Sequence, residues 1–508
     1  MFIITIIIQN YIVLMESQNI NIINIFIQFL HHTDHNALRQ CSWYLSKIIT
    51  PTYFKRIWFN ADKITNDPNF RSFVHRYKLK INVKNIKTSY QLAYLQTYNV
   101  RAIMFDILFD SSLFQDIIPS TLRILTLPKY FNEAINVNTL PSTLVELITN
   151  SRFNKQIEHN VLPKSLTYLS FGLGFNQSVK RGVLPTGLKT LYFGFDFDRP
   201  IRQGVLPSTL TNLHFKLAFN RQIDENVLPQ SLQTLILSRN FDQLITPNVL
   251  PQSLHKLIFG SDFNQPILEH MLPASLHRLE FGLTFNQPIN KNVLPVSLII
   301  LKFGARFNHQ INEHNLPSDL KDLTFPCNNQ QTLKDILPTS LRTIKLNRDN
   351  SCQNIALPAK LTTLKFAVLF NESIDNIVFP VSLVNLHFGM KFNQSINNVL
   401  FPQGLKRLEF GRDFNQSINK NVLPTSLRIL VFGENYNERI DKDVLPNMLQ
   451  ELVLGIQVNR VICKAILPAS IHSIKYMKTI FNGSFPIKRL VKCDFEIVDT
   501  HIEDSDDE

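Results

Sequence analysis

A proline returns every 22 residues along most of this chain. The prolines that keep this step are Pro119, Pro141, Pro163, Pro185, Pro207, Pro229, Pro251, Pro273, Pro295 and Pro317. Two shorter turns end at Pro338 and Pro358, and the step then resumes through Pro380, Pro402, Pro424, Pro446 and Pro468. A fixed period of this length is typical of a coil of similar turns, which offers a long binding surface more often than a catalytic pocket.

Each turn follows the template L-P-x-[ST]-L-x-x-L-x-F-G-x-x-F-N-x-x-I-x-x-x-V, as residues 163–185 show. Its x-L-x-F part alternates variable and apolar positions, which predicts a short strand with one buried face. The proline cannot donate to a ladder and belongs at the bend before the strand. We expect the glycine after the strand, such as Gly172, to permit a sharp turn. The sequence therefore predicts a mainly β repeat solenoid with one short parallel strand per turn in a curved array.

The Phe-Asn pair of the template is the second regular feature of the turn. We expect its phenylalanines to stack into a continuous spine inside the coil. We expect its asparagines to form an internal ladder that satisfies backbone groups of neighbouring turns. Asp198 and Asp242 replace asparagine in two turns, which keeps the acceptor and loses the donors.

This motif resembles the FNIP repeat, which is named for its Phe-Asn-x-x-Ile/Pro core and is related to leucine-rich repeats. FNQPI at residues 285–289 and FNQSI at residues 414–418 are close matches. We assign residues 97–490 to the solenoid, with an irregular part at 318–358 where the Phe-Asn pair is lost. The resemblance implies a leucine-rich-repeat-like solenoid that binds proteins, and it implies no chemistry.

Residues 15–60 differ from the repeats, because their apolar residues recur at three- and four-residue steps typical of short amphipathic helices. Their order resembles the F-box, a three-helix motif that docks on an Skp-type adaptor of cullin ubiquitin ligases. The resemblance implies that the adaptor-binding residues are Ile25, Phe26, Leu30, Leu38, Trp43 and Leu45. The other interpretation of this segment is a helical cap that shields the first turn of the solenoid.

The remaining segments are short. Residues 1–14 are almost wholly apolar but too short to span a bilayer; they form an extra strand or helix, or translation begins at Met15. Residues 61–96 are predicted to be a linker or an N-terminal cap of the solenoid. Residues 491–508 are predicted to form a capping strand and an acidic tail, which includes residues 503–508.

Composition argues against several function classes. The net charge of +12 comes from Lys and Arg scattered singly through the repeats, so we expect neither a nucleic-acid partner nor a membrane. The five cysteines have no regular spacing, which predicts reduced thiols in an intracellular protein that is not secreted. We find no metal-ligand spacing, phosphate loop or nucleophile motif, and predict no enzyme activity, no cofactor and no metal.

The variable strand positions are the candidate target-binding surface, because they change between copies while the framework stays fixed. Their side chains are predicted to point away from the core on the concave face. Those we select are Tyr168, Tyr192, His214, Lys256, Arg278, Glu280, Lys302, Lys345, Lys365, His387 and Arg407. For any single residue, a solvated sheet face is the simpler interpretation; a protein partner is predicted only for the surface as a whole.

These observations lead to two function hypotheses. In the first, the F-box-like segment recruits a cullin-type (SCF) ubiquitin ligase through its Skp-type adaptor, and the solenoid holds an unknown target protein. In the second, the chain is a repeat scaffold or decoy without a ligase link. F-box segments ahead of FNIP arrays are found in large DNA viruses of amoebae, so the resemblance implies a viral protein acting in the host cytoplasm.

Overall fold

The computed structural model of this protein describes residues 58–76, 81–106, 109, 118–326, 336–346, 356–455 and 466–476. The chain divides into two compact units, residues 1–128 and residues 129–508. The apolar leader at 1–14, the F-box-like segment up to residue 57 and the predicted tail at 491–508 lie outside the described residues. The predicted adaptor-binding residues are therefore outside them as well.

The first unit combines short helices with parallel strands. Its elements are β1 (Trp58–Asn60), α1 (Ala61–Asn66), α2 (Pro68–Arg76), β2 (Ile81–Ile86), α3 (Ser89–Tyr94), a 3₁₀ turn (Leu95–Thr97), β3 (Val100–Phe105) and β4 (Ile124–Thr126). Strands β1–β2, β2–β3 and β3–β4 pair in parallel. Asn60 and Thr88 cap α1 and α3, because their side chains accept from the backbone N–H groups of Asp62 and Gln91.

This arrangement differs from the predicted domain boundaries. Trp58–Asn60 forms strand β1, although the sequence analysis places it at the end of the helical F-box-like segment. The segment 61–96, predicted as a linker or cap, holds α1, α2, β2 and α3. The unit ends at Pro128, beyond the predicted start of the solenoid at residue 97. Strand β2 is not evident from sequence periodicity, because half of its residues are polar and one of them, Asn82, is buried.

The second unit is a stack of turns with one short strand each. Its strands are β5 (Glu146–Ile148), β6 (Tyr168–Ser170), β7 (Thr190–Phe193), β8 (Asn212–Phe215), β9 (Thr234–Ile236), β10 (Lys256–Ile258), β11 (Arg278–Glu280), β12 (Ile300–Lys302), β13 (Asp322–Phe325), β14 (Thr343–Leu346), β15 (Thr363–Lys365), β16 (Asn385–His387), β17 (Arg407–Glu409), β18 (Ile429–Val431), β19 (Glu451–Leu454) and β20 (Ser473–Tyr476). Each pairs in parallel with the next, in register. The predicted β solenoid is confirmed.

Stacked phenylalanine rings and strand leucines form the core of this unit. Consecutive rings from Phe131 to Phe307 lie 6.0–6.2 Å apart, close to parallel. The stack resumes from Phe370 through Phe414 to Tyr436. Beside it, the central residue of each strand, such as Leu169, is buried. The predicted aromatic spine is therefore confirmed on both sides of the irregular part.

The asparagines form a ladder, but at the surface and through their side-chain oxygens. The Oδ1 atom of Asn154 accepts from the backbone N–H of Asn176, 2.9 Å away, and the same bond links the pair in most neighbouring turns. Asp198 and Asp242 accept in the same way from Asn220 and Asn264. The expectation of an internal ladder is wrong, since these side chains are half-buried or exposed. Aspartate fits because only the acceptor is used.

The glycine after each strand is needed for close packing between turns. A Cβ on Gly282 would lie 1.8 Å from the carbonyl oxygen of Gly260, and one on Gly194 would lie 1.6 Å from that of Gly172. Neither glycine has a positive φ. The chain does turn after the strand, as predicted, and the N–H of Phe285 donates to the carbonyl of Gly282 across that turn. Glycine is needed there because neighbouring backbones approach too closely for any side chain.

A left-handed residue lies elsewhere in the turn, three positions before the proline. The residues with positive φ there are Asn138, Asn160, Gly182, Gly204, Asn226, Asn248, His270, Asn292, Asn421 and Asp443. Asn, Asp and Gly tolerate this conformation, whereas β-branched residues do not. In two turns Ile377 and Val399 occupy the position three residues before the proline. The residues that follow them, Val378 and Leu400, are 84% and 90% exposed. The repeat template leaves this position variable and does not mark it as left-handed.

The sheet continues through the predicted irregular part at 318–358. Strands β13, β14 and β15 pair in the same register as the others. The aromatic stack changes here, because the ring of Phe325 meets that of Phe303 edge-on at 5.7 Å. In the described part of these turns, the strands stay in register while the ring contact at Phe325 changes.

Replacing a packing glycine will destabilise the solenoid. We expect Gly282→Ala to cost about 3 kcal/mol of unfolding free energy, the range for overpacking a tight site. The control is Gly187→Ala, whose Cβ would meet the nearest backbone oxygen at 3.4 Å. Urea unfolding followed by circular dichroism measures both. Equal stability of the two variants would contradict the close-approach argument.

The asparagine ladder makes a second prediction. We expect Asn264→Asp to leave stability nearly unchanged, because aspartate already fills this position in other turns. Asn264→Ala removes the acceptor for the backbone N–H of Asn286 and should cost about 1–2 kcal/mol. Thermal unfolding of both variants compares them. If aspartate proves as harmful as alanine, the acceptor is not what the ladder needs.

Candidate protein-binding face

Two rows of variable side chains line the outward face of the second unit's strands. The first face row is Glu146, Tyr168, Thr190, Asn212, Thr234, Lys256, Arg278, Ile300, Asp322, Thr343, Thr363, Asn385, Arg407, Ile429, Glu451 and Ser473. The second face row is Ile148, Ser170, Tyr192, His214, Ile236, Ile258, Glu280, Lys302, Thr324, Lys345, Lys365, His387, Glu409, Val431, Val453 and Lys475. In-register pairing places each residue beside its equivalent in the next turn, about 4.8 Å away. Most are half-buried between these neighbours.

An aromatic cluster occupies one part of the face. The rings of Tyr168 and Tyr192 lie 5.5 Å apart, and the ring of Tyr192 stacks on that of His214 at 4.2 Å. Burial raises the pKa of Tyr168. Burial, with the charges of Lys256 and Lys216, lowers the pKa of His214 to about 4. The cluster is therefore uncharged at neutral pH, and it suits apolar and hydrogen-bonding contacts.

A first ion cluster lies further along the face. The Glu280 carboxylate forms ion pairs with Arg278 of the same strand and with Lys302 of the next, the second at 3.4 Å between Lys302 Nζ and Glu280 Oε2. The Glu280 side chain is 16% exposed. The structure thus brings together three of the predicted face residues, and it does so as partners of one another.

A second ion cluster repeats this pattern. His387 Nδ1 lies 3.0 Å from Glu409 Oε2, and an Arg407 guanidinium nitrogen lies 2.9 Å from the same oxygen. Burial raises the pKa of Glu409, but the hydrogen bonds and charges of His387 and Arg407 outweigh it and lower the pKa to about 2. Glu409 was not selected from the sequence as a site residue. The Arg-Leu-Glu spacing that it shares with Arg278–Glu280 is the signal that could have found it.

The remaining predicted residues lie between these clusters. Lys256 is in the first face row, and its charge acts on His214. Lys345 and Lys365 are direct neighbours in the second row. Ile236 and Ile258, also neighbours, separate the aromatic cluster from the first ion cluster. All the predicted face residues therefore lie on one surface, divided into aromatic, apolar and charged zones.

Features outside the face point to no chemistry of their own. A surface depression of about 560 Å³ lies between two turns, and its lining includes Asn290, Asn308, His309 and Asn312. Within the described residues, no three His, Cys, Asp or Glu side chains are grouped to hold a metal ion. In the same part of the chain, no helix has the length and apolar character needed to cross a membrane.

The family model described as FNIP Repeat matches this chain over residues 109–149, 131–174, 175–217, 219–262, 241–284, 285–328, 370–413, 392–435 and 414–457. The chain belongs to the FNIP repeat family. The matched ranges skip residues 329–369, which include the shortened turns. The FNIP unit is the turn seen here, and a solenoid of such turns is suited to binding other proteins.

Three solved structures are similar to this chain to different degrees. The crystal structure of CroV588, described as a novel circular LRR protein structure, is 40% identical, with a TM-score of 0.61, covering 80% of this chain and 59% of that one. TLR13 in complex with ssRNA13 is 15% identical, with a TM-score of 0.46 and coverage of 82% and 75%. An internalin from Listeria monocytogenes is 18% identical, with a TM-score of 0.34 and coverage of 56% and 79%. None of the curated proteins compared with this chain matches it.

The aromatic cluster makes the FNIP solenoid sensitive to acid. The folded protein keeps His214 neutral to about pH 4, whereas the unfolded chain binds the proton near 6.5. The stability that depends on neutral His214 is complete above about pH 6.5 and is lost as the pH falls towards 4. We expect His214→Gln to lose less stability than the wild type over this range, measured by urea unfolding. Exposed His472, changed to Gln, is the control; identical pH profiles for all three proteins would contradict the buried, neutral imidazole.

Proposed function

We propose that this FNIP repeat protein is the substrate-recognition adaptor of a cullin-type (SCF) ubiquitin ligase. The F-box-like segment at residues 15–57 binds an Skp-type adaptor, and the solenoid face holds the target. The observation that carries the proposal is the pairing of two parts: a segment with the F-box order of apolar residues, and a long variable face built on a fixed framework.

The dimensions of the face support a role in protein binding. Sixteen strands at about 4.8 Å per step make each face row about 70 Å long, and the two rows with their side chains are about 10 Å wide. The resulting area of about 700 Å² is close to the 800 Å² that each partner buries in a standard interface. Tyr168, Tyr192, Arg278 and Arg407 belong to the residue types that dominate binding energy at such interfaces.

In this role the chain positions the target for the ligase, and the recruited ligase carries out the reaction. The target and the recruited ligase are bound to the same chain, so transfer to the target's lysines occurs between partners already brought together. A rigid framework serves this purpose, because every strand of the second unit is tied to its neighbours by backbone hydrogen bonds.

The test is binding to a purified Skp-type adaptor protein. We expect the full chain to bind it, and a chain lacking residues 15–57 to lose binding; the deletion stops before Trp58 so that strand β1 is kept. Trp43→Ala in the full chain should weaken binding at least about tenfold, as for a hot-spot residue. Asn19→Ala is the matched control in the same segment. Circular dichroism of each variant confirms that the solenoid remains folded.

Two results would overturn the adaptor proposal. One is the absence of binding by the full chain, and the other is undiminished binding after the deletion. Either result leaves the second hypothesis, a repeat scaffold or decoy that binds host proteins without a ligase link, as the function that the face supports.

A further inference from the structure

A third row of side chains runs along one margin of the strand face, one residue before the first face row. This edge row consists of Val145, Thr167, Lys189, Thr211, Gln233, His255, His277, Ile299, Lys321, Arg342, Thr362, Val384, Lys406, Arg428, Gln450 and His472. Within it, the backbone N–H of each residue from Arg342 to Arg428 donates to the carbonyl of the residue one turn earlier, at 2.8–2.9 Å. The members of the edge row are therefore neighbours in space, and these backbone hydrogen bonds fix their order.

The edge row carries positive charge and no negative charge. Its members include Lys189, Lys321, Arg342, Lys406 and Arg428, all of them exposed, and none of its described members is Asp or Glu. If 16 positions were drawn at random from this sequence, acidic residues would be expected among them as well as basic ones. Basic residues that are scattered singly along the sequence thus become consecutive neighbours in space. This ordering is invisible in the sequence, where they lie about one turn apart.

The charges form two adjacent pairs that lack ion-pair partners. Lys321 is next to Arg342, and Lys406 is next to Arg428. In the part of the chain that the structure describes, none of these four side chains forms an ion pair, whereas Arg278, Lys302 and Arg407 of the face rows do. Several charges of the face rows are therefore paired with one another, whereas these four charges of the edge row are available to a partner.

We propose that the edge row binds an extended acidic segment of the target protein; this inference rests on the proposed target-binding function of the solenoid. The two basic pairs are separated by three strand spacings, or about 14 Å, and an extended peptide advances about 3.3 Å per residue. Acidic side chains about four residues apart therefore meet both pairs. Opposite charge along such a row accelerates association and fixes the register of the bound segment.

An acidic peptide fits this surface better than a nucleic acid. Single-stranded nucleic acids are held by aromatic side chains on which bases stack. The described edge row has no Phe, Tyr or Trp, and its stacked histidines, His255 and His277, lie outside the two basic pairs. The adjoining first face row places the carboxylates of Asp322 and Glu451 beside the basic pairs, where they would repel a continuous phosphate backbone. A peptide with spaced carboxylates avoids these positions.

The experiment measures, by anisotropy, binding of the full chain to a fluorescent peptide of about eight residues, long enough to span both basic pairs, in which the glutamates lie about four residues apart. We expect binding that weakens with salt. The variant Lys321→Glu, Arg342→Glu, Lys406→Glu, Arg428→Glu should bind at least about tenfold more weakly, since each pair loses attraction and gains repulsion. The matched control reverses the exposed Lys291 and Lys442, which lie on the loops away from the strands; its effect should stay within about twofold. The double variant Lys321→Glu, Arg342→Glu changes the net charge by the same amount as the control, so the two can be compared directly.

Four results would overturn the inference. These are no binding by the wild-type chain, equal weakening by the control and by Lys321→Glu with Arg342→Glu, tighter binding of an oligothymidine of similar length, and much tighter peptide binding after removal of residues 503–508. The last would assign the edge row to the chain's own acidic segment. The proposed adaptor function is tested separately: peptide binding without Skp-type adaptor binding rejects that function and keeps the edge row as an acidic-segment site.

Discussion

Contacts between successive turns are the interaction on which the second unit depends. One turn of this solenoid cannot bury its own leucines and phenylalanines, so its stability comes from the interfaces with its neighbours. Three kinds of hydrogen bond hold each interface: the strand ladder, the Asn Oδ1 acceptor as at Asn154, and the hydroxyl of residues such as Ser253, which donates to the carbonyl of Leu232 one turn earlier. The glycine column, represented by Gly282, lets the backbones approach closely enough to form them.

Because the turns stack in this way, a periodic sequence gives ordered rows of side chains on the surface. Because every turn repeats in register, a residue type at one template position meets its equivalent about 4.8 Å away. Neighbouring charges of opposite sign then form pairs, as Glu280 does with Lys302. Like charges instead accumulate along a row, as Lys321 and Arg342 do on the edge row. The framework thus decides where the variable residues lie, and the variable residues decide what can bind.

Much of the fold could be predicted from the sequence, because period and alternation report directly on strands and core. The Phe131–Phe307 stack and the parallel strands follow from the template alone. The structural role of the glycines could not be predicted, because a tight turn and a close approach between turns both require glycine and look the same in the sequence. The exposure of the asparagines and the left-handed position at Asn160 also depend on three-dimensional packing. At the site, the location of the variable residues on the face could be predicted from the alternation of the strand positions. The ion pairs of Glu280 and Glu409 could not be predicted, because they depend on side-chain geometry.

The division between paired and unpaired charges has consequences for recognition. Breaking the Glu409 cluster to bind a partner would leave a half-buried carboxylate without its cations, which costs more than a surface contact returns. The ion clusters therefore serve better as a rigid part of the face than as attachment points. The aromatic cluster at Tyr192 and the isoleucines at Ile236 and Ile258 can contact a partner without breaking any such pair. A target should accordingly meet apolar and aromatic groups on the face and cations along its margin.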